Sequence, residues 1–276
     1  MVTLLHYDFM RRALLAALLV GLAAPAVGTF LVARRQALMG DGIGHVALTG
    51  VALGFLLGTA PFVTAVLTAA AGALLIEWVR ARGRASGDVA LALLFYGGIA
   101  GGVLLIGLAS GGSNATLLSY LFGSLTSVSR TDLVAMATLT AVVLLLVVGL
   151  SRLLFAVSYD EEFAAVRGVP TRLLGSLIAV MAAVTITVAM RVVGLLLVSA
   201  LMVVPVATVQ LVTRGFRQTL IAAAIVGALT STAGVVLAFY ADVAPGACIV
   251  MVTIGVYALA SLLPGVRPLL RRQVAS

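Results

Sequence analysis

Residues 13–58 read ALLAALLVGLAAPAVGTFLVARRQALMGDGIGHVALTGVALGFLLG, and this stretch decides the fold. Its first part, residues 13–33, is a continuous apolar run that is closed by Arg34 and Arg35. A helix of about 20 such residues crosses a hydrocarbon core about 30 Å thick. The run is long enough to stay in the membrane, and the arginine pair favours an anchored helix over a cleaved signal peptide.

Apolar runs of this kind recur along the whole chain. The 276 residues are 63% hydrophobic and 9% charged, and the mean hydropathy is +1.25. Too little polar surface is left for a water-facing protein, and the runs are continuous, which favours helices over a closed barrel. We expect an all-α integral membrane protein, a bundle of eight to nine transmembrane helices in one domain (1–276). The expected spans are 13–33, 42–58, 61–79, 89–109, 133–155, 173–190, 195–212, 219–240 and 246–263.

The positions of the arginines predict how the chain is oriented. Alternating the nine spans places thirteen of the 17 basic residues on one side and four on the other. The arginine-rich side is cytoplasmic under the positive-inside rule, so the C-terminus is predicted in the cytoplasm and the N-terminus outside. The pair Arg11–Arg12 fits this assignment least well. The segment 116–128 is too short to span and is interpreted as a re-entrant or surface helix.

Residue types exclude several functions. All 17 basic residues are arginine, so the chain lacks the lysine that a P-loop of the form GxxxxGK[ST] requires and cannot be its own P-loop ATPase. The net charge of +8 is explained by arginine clusters between the spans, and nucleic acid is not an expected partner. The single cysteine, Cys248, has no partner for an internal disulfide.

Asp41 and His45 are the best candidates for a functional site. Ionisable groups within a spanning segment are functional by default, and residues four apart lie on one face of a helix. A carboxylate oxygen and a ring nitrogen there are able to bind one cation. Two ligands are too few, so other helices, a second copy of the chain or water must supply the rest. As structural alternatives, Asp41 caps its helix and His45 donates to a neighbouring carbonyl.

Three glycines, a proline and a turn aspartate give weaker indications of helix packing and of function. Gly50, Gly54 and Gly58 form a GxxxGxxxG pattern, which is typical of close helix packing in lipid. Pro205 is expected to kink its helix and is a candidate gate. Asp242 is an exposed turn carboxylate in the simplest interpretation, although it is also suited to attracting cations to the outer mouth.

The longest polar interruption in the second half, residues 158–172, lies on the predicted cytoplasmic side. Apolar residues alternate there with charges in a pattern that predicts a short amphipathic helix, ended by Gly168 and Pro170. A solvated loop capped by Asp160 is the alternative, and a docking element for a partner is the functional interpretation. Glu77 is expected to pair with Arg80, three residues along its helix.

Four segments resemble the permease subunits of ATP-binding-cassette importers for zinc, manganese and iron(II). They are RRQALMGDGIGHVALTGVA (34–52), LSYLFGS (118–124), YDEEFAAVRGVP (159–170) and VSALMVVPVAT (198–208). Their order and spacing match this family over essentially the whole chain. Two departures are Thr49 and Glu161, each at a position where the family pattern commonly has proline.

The resemblance implies a type II importer-like permease of the bacterial inner membrane. It implies a homodimer that works with two cytoplasmic ATPase subunits and an extracytoplasmic metal-binding protein, surrounded by membrane lipid. The chain would then be no enzyme and would hold no permanent cofactor, its cargo being Zn²⁺, Mn²⁺ or Fe²⁺. Asp41 and His45 would belong to the metal path. The ATPase would dock on a coupling helix that includes Asp160, Glu161, Glu162, Phe163, Ala164 and Gly168.

Other transport classes stay open at this point. A proton-driven secondary transporter would use Asp41 and His45 as a proton relay and would need no ATPase. A permease for a metal chelate would need a wide, aromatic-lined passage, whereas the surroundings of His45 are rich in glycine. An intramembrane enzyme is least expected, because the spans contain no HExxH or GxSxG motif. One carboxylate and one imidazole suit zinc, manganese and iron(II) alike.

Overall fold

The computed structural model describes residues 6–81, 87–108, 120–124, 126 and 128–262. Within these ranges the chain forms helices and no strand. The helices are α1 (Asp8–Ala33), α2 (Met39–Leu56), α3 (Pro61–Ala81), α4 (Gly87–Leu108), α5 (Arg130–Gly149), α6 (Ser151–Tyr159), α7 (Glu161–Val166), α8 (Thr171–Ala189), α9 (Leu195–Gln210), α10 (Phe216–Ala241) and α11 (Pro245–Ser261).

The predicted spans all coincide with apolar helices of the bundle. In the described residues, seven helices are long and apolar enough to cross a membrane, namely α1 to α5, α8 and α10. The expected span 133–155 is divided at Leu150 into α5 and α6. The expected segment 116–128 lies partly outside the described residues, and its described part is helical at 120–122. The all-α membrane bundle is confirmed.

Two of the apolar helices are shorter than a bilayer is thick. α9 has 16 residues and α11 has 17, which correspond to roughly 24–26 Å at 1.5 Å per residue. Irregular backbone at membrane depth is tolerated where protein covers it. The turn that precedes α9 meets this condition, because Val192, Val193 and Gly194 are buried. Gly194 has φ +84° and touches the backbone of residues 121–123, where a side chain would not fit.

Close backbone contacts hold the helices together. A Cβ at Gly21 of α1 would lie 2.6 Å from the carbonyl oxygen of Gly227 in α10, and one at Gly28 would overlap the Met202 carbonyl of α9. Such contacts replace the hydrophobic effect, which does not drive helix association within lipid. α1 is thereby packed against both α9 and α10.

The GxxxGxxxG pattern is divided in the structure. Cβ atoms at Gly50 and Gly54 would collide with α3, where Ala65 Cα and Pro61 Cα are the respective backbone neighbours at 2.7 and 2.6 Å. Gly58 differs from the expectation of a packing position. Nothing lies within 4 Å of its Cβ direction, and its φ of +64° places it in the turn after α2. The third glycine therefore serves the chain reversal, because L side chains disfavour positive φ.

Pro205 lies inside α9, which is assigned as one helix from Leu195 to Gln210. Proline has no backbone N–H to donate to the preceding turn, so the helix is weakened locally. The role of Pro205 as a gate stays a prediction.

We expect Gly28→Ala to destabilise the protein by at least about 1–3 kcal/mol, because the new methyl group overlaps backbone that cannot move aside like a flexible side chain. Thermal unfolding of the purified protein in detergent measures this. Gly255→Ala is the matched control, since Gly255 lies in α11 with no atom within 4 Å of its Cβ direction. That variant should be neutral or more stable by up to about 1 kcal/mol. Equal midpoints for the two variants would contradict the packing argument.

Candidate functional site

Asp41 lies in the first turn of α2 and is half-buried. Its Oδ1 accepts a hydrogen bond from the Ser199 hydroxyl of α9. The α2 N-terminus has no side-chain capping bond, so the capping alternative is not the arrangement that the structure shows. A hydroxyl on a neighbouring helix therefore orients the carboxylate.

His45 follows one turn later and is only 9% exposed. Its ring stands edge-on to Phe95 of α4, with ring centroids 4.6 Å apart. Among the described residues, its buried Nδ1 has no hydrogen-bond partner. The alternative in which Nδ1 donates to a neighbouring carbonyl is thus not the arrangement found. A buried imidazole nitrogen without a partner is costly, and a bound cation would satisfy it.

Helices approach α2 closely on the sides next to this pair. A Cβ at Gly98 of α4 would lie 2.7 Å from the backbone carbon of His45, and one at Gly44 would lie 2.8 Å from Leu195 Cδ1. The Thr49 hydroxyl donates to the Gly98 carbonyl oxygen at 2.7 Å, which fastens α2 to α4. Thr49 thus has a packing role at a position where the resembling motif commonly has proline. On these two sides the neighbouring helices therefore pack closely against the segment that carries the pair.

The pair does not form a complete metal site on its own. No group of three or more His, Cys, Asp and Glu side chains comes together in the part of the chain that the structure describes. Ser199 supplies one additional oxygen beside Asp41. Coordination numbers of four or more then require donors from outside this set of residues.

Ser199 and Phe95 are the neighbours that sequence reasoning missed. Ser199 is 158 residues from Asp41 in the chain, so no local pattern relates them. The only available signal was a hydroxyl within the apolar run of residues 195–212, inside one of the motifs that carry the family resemblance. Phe95 was one apolar residue among many.

Asp242 lies apart from this pair. It is exposed, ends α10 in a left-handed conformation with φ +51°, and precedes α11. The helices that pack extensively around α2 are α3, α4, α8 and α9, and they do not include α10 or α11. Asp242 therefore has the geometry of an exposed turn carboxylate, and its role in attracting cations stays a prediction.

The predicted amphipathic helix is present as α7. The backbone N–H of Phe163 donates to Asp160 Oδ1 at 2.8 Å, so Asp160 is the N-cap. Gly168 follows the helix with φ +79°, as expected for a glycine at a helix end. Ala164 is buried, whereas the apolar side chains of Phe163 and Val166 are 56% and 88% exposed.

The remaining acidic residues of this segment behave differently from one another. Glu162 is exposed. Glu161 reaches Arg34 and Arg80, which belong to distant parts of the chain. Glu77 does approach Arg80 at 3.7 Å, but its shorter contact is with Arg34 at 3.0 Å. The expected pair within α3 is therefore the weaker of the two.

The comparisons with known proteins agree with this architecture. The model of the ABC 3 transport family matches residues 6–264. The manganese transport system membrane protein MntC of Halalkalibacterium halodurans is 35% identical over 257 residues, covering 93% of this chain and 88% of the relative. The manganese import system permease protein ScaB of Streptococcus parasanguinis is 33% identical, covering 89% and 87%. The solved structure of PsaBC from Streptococcus pneumoniae in complex with Fab is similar with a TM-score of 0.87 and 30% identity, covering 98% and 97%.

We expect Ser199→Ala to weaken binding of a divalent cation such as Mn²⁺ about tenfold. The substitution removes a hydrogen bond to a charged group, worth about 1.5–3 kcal/mol, and lets the Asp41 carboxylate turn. Isothermal titration of the purified protein measures the affinity. Ser261→Ala is the control, because that hydroxyl donates only to Ala258 within α11. An unchanged affinity in Ser199→Ala would remove Ser199 from the site.

Proposed function

Because the chain belongs to the ABC 3 transport family, we propose that it is the permease subunit of an ATP-driven importer that carries Mn²⁺ past Asp41 and His45. The chain is a multi-pass membrane protein and a transport component, not an enzyme. The observation that carries the proposal is the half-buried carboxylate of Asp41 one turn from the unpartnered Nδ1 of His45.

Manganese is the cargo that the observations favour. The relatives named above are described as manganese transport proteins. The polar groups next to one another are a carboxylate, a hydroxyl and an imidazole, with no thiolate. Oxygen-rich sites suit Mn²⁺, whereas thiolates favour Zn²⁺. Competition for uptake by Zn²⁺ and Fe²⁺ is the experiment that ranks the three metals.

A second copy of the permease is the proposed source of the missing ligands. The described residues of one chain bring only a two-residue pair together, and a two-fold axis beside α2 would double its oxygen and nitrogen donors. An extracytoplasmic metal-binding protein delivers the ion to this site. The dimer then opens alternately to the two sides of the bacterial inner membrane, with the C-terminus in the cytoplasm.

ATP hydrolysis is assigned to a cytoplasmic ATPase, present in two copies, that docks on α7. The exposed Phe163 and Val166 support this role, since apolar side chains next to charges on a protruding helix are suited to a groove on a partner. Asp160 caps the start of α7 and Gly168 follows its end. The buried side chain of Ala164 packs α7 against the bundle. Uptake that persists without the ATPase would favour a proton-coupled transporter instead.

Asp41→Asn is expected to lower Mn²⁺ uptake by more than about tenfold, whereas the amount of folded permease in the membrane should not change. The amide keeps the shape of the carboxylate but removes its charge, and even residues that only orient a metal ligand contribute about 10–100-fold. Uptake of ⁵⁴Mn²⁺ by proteoliposomes that contain the whole complex is the measurement.

The matched control is Asp8→Asn, which makes the same change in the first turn of α1 at an exposed position. Its uptake should equal that of the unchanged protein. Normal uptake by Asp41→Asn would refute the role of Asp41 in the metal path.

Val166→Glu is expected to weaken association with the ATPase about tenfold, because a charge would be buried at the docking surface. Val166 is 88% exposed, so the thermal midpoint of the permease alone should not change. Co-purification of the ATPase measures the association. Val243→Glu, in the exposed turn after α10, is the control. Equal association for both variants would contradict docking at α7.

A further inference from the structure

Four charged side chains from three parts of the chain meet at one end of the bundle. Arg34 Nη2 lies 3.0 Å from Glu77 Oε1 and 3.3 Å from Glu161 Oε2. Arg80 Nη2 lies 3.1 Å from the same Glu161 oxygen and 3.7 Å from the same Glu77 oxygen. This charge cluster (Arg34, Glu77, Arg80 and Glu161) joins the end of α1, the last turns of α3 and the first residue of α7.

The members of the charge cluster differ in burial. The side chains of Arg34 and Glu77 are 3% and 6% exposed, whereas that of Glu161 is 43% exposed. Leaving a buried charge without its partner is costly, so Arg34 and Glu77 form the fixed part. Helix α8 packs closely against both side chains at Gly175. A Cβ there would overlap Glu77 Oε1 and lie 3.1 Å from Arg34 Nη1. Glu161 is the member of the charge cluster whose side chain is most exposed to solvent.

The ion pairs of Glu161 connect α7 to the end of α1 and to α3. The extensive packing of α7 is with α6 and α8. Arg34 ends α1, and Arg35 follows in a left-handed conformation with φ +57°. The turn then leads into α2, which carries Asp41. Glu161 therefore contacts the arginine that ends α1, directly before the turn into α2.

We propose that the contact between Glu161 and Arg34 transmits movement of the docked α7 to the α1–α2 turn, and so links ATP hydrolysis to release of the metal. The inference rests on the proposed function. Glu161 and Arg34 are positioning residues in this scheme and do not touch the metal. Glu161 stands where the resembling motif commonly has proline, and loss of its contact with Arg34 should weaken coupling without abolishing it.

The test compares Glu161→Gln with Asp8→Asn in the complete complex, reconstituted in proteoliposomes with the ATPase and the metal-binding protein. Both variants replace one carboxylate by its amide, and Asp8 is exposed in the first turn of α1, outside the charge cluster and the docking helix. Mn²⁺ uptake and ATP hydrolysis are measured in the same sample. The readout is the number of ions moved per ATP, which a purely structural role would leave unchanged.

Glu161→Gln is expected to keep ATP hydrolysis within about twofold and to lower the ions moved per ATP about fivefold, the scale of a typical coupling between sites. Asp8→Asn should match the unchanged complex. Arg80→Gln, which removes a partner of Glu161 without altering α7, should lower the same ratio in the same direction.

Two results would overturn the transmission role. The first is an unchanged ratio in Glu161→Gln. The second is loss of the ATPase from that complex, which would make Glu161 a docking residue. ATP hydrolysis without any Mn²⁺ uptake by the unchanged complex is a different result, since it would overturn the proposed function itself.

Discussion

The structure depends on how closely helix backbones approach one another in lipid. Within a bilayer no hydrophobic effect drives helices together, so contact area between backbones must do so. Gly28 against Met202 and Gly50 against α3 provide that contact. The same close approach by α3, α4, α8 and α9 packs α2 against protein on several sides. This packing buries His45 and leaves Asp41 half-buried within the bundle.

Polar groups in this protein are held by partners from other helices. Ser199 of α9 orients Asp41, Thr49 fastens α2 to α4, and Arg34 is satisfied by carboxylates of α3 and α7. Each contact lies at an end of α2 or along its side. The helix that carries Asp41 and His45 is therefore joined to its bundle by hydrogen bonds, and Arg34, which precedes it, is joined to α3 and α7 by ion pairs.

Much of the candidate site could be predicted from individual residues in the sequence. Asp41 and His45 stood out because ionisable groups are rare in apolar runs, and α7 was predicted from its alternating charges together with Gly168. Ser199 could not be predicted in this way, since its partner Asp41 is 158 residues away in the chain. Glu77 shows the same limit: the local rule for residues three apart named Arg80, whereas the shorter contact is with Arg34 from another helix.

The sequence by itself determined the class of protein and the approximate positions of its helices, because apolar runs and breaks between them are local properties that the bilayer selects directly. It also determined the family through four motifs in order. Only the tertiary structure decided that Gly58 serves a turn while Gly50 and Gly54 serve packing, and that Glu161 joins Arg34. Those outcomes depend on which helices become neighbours, and no local pattern of residues encodes a contact between surfaces more than a hundred positions apart.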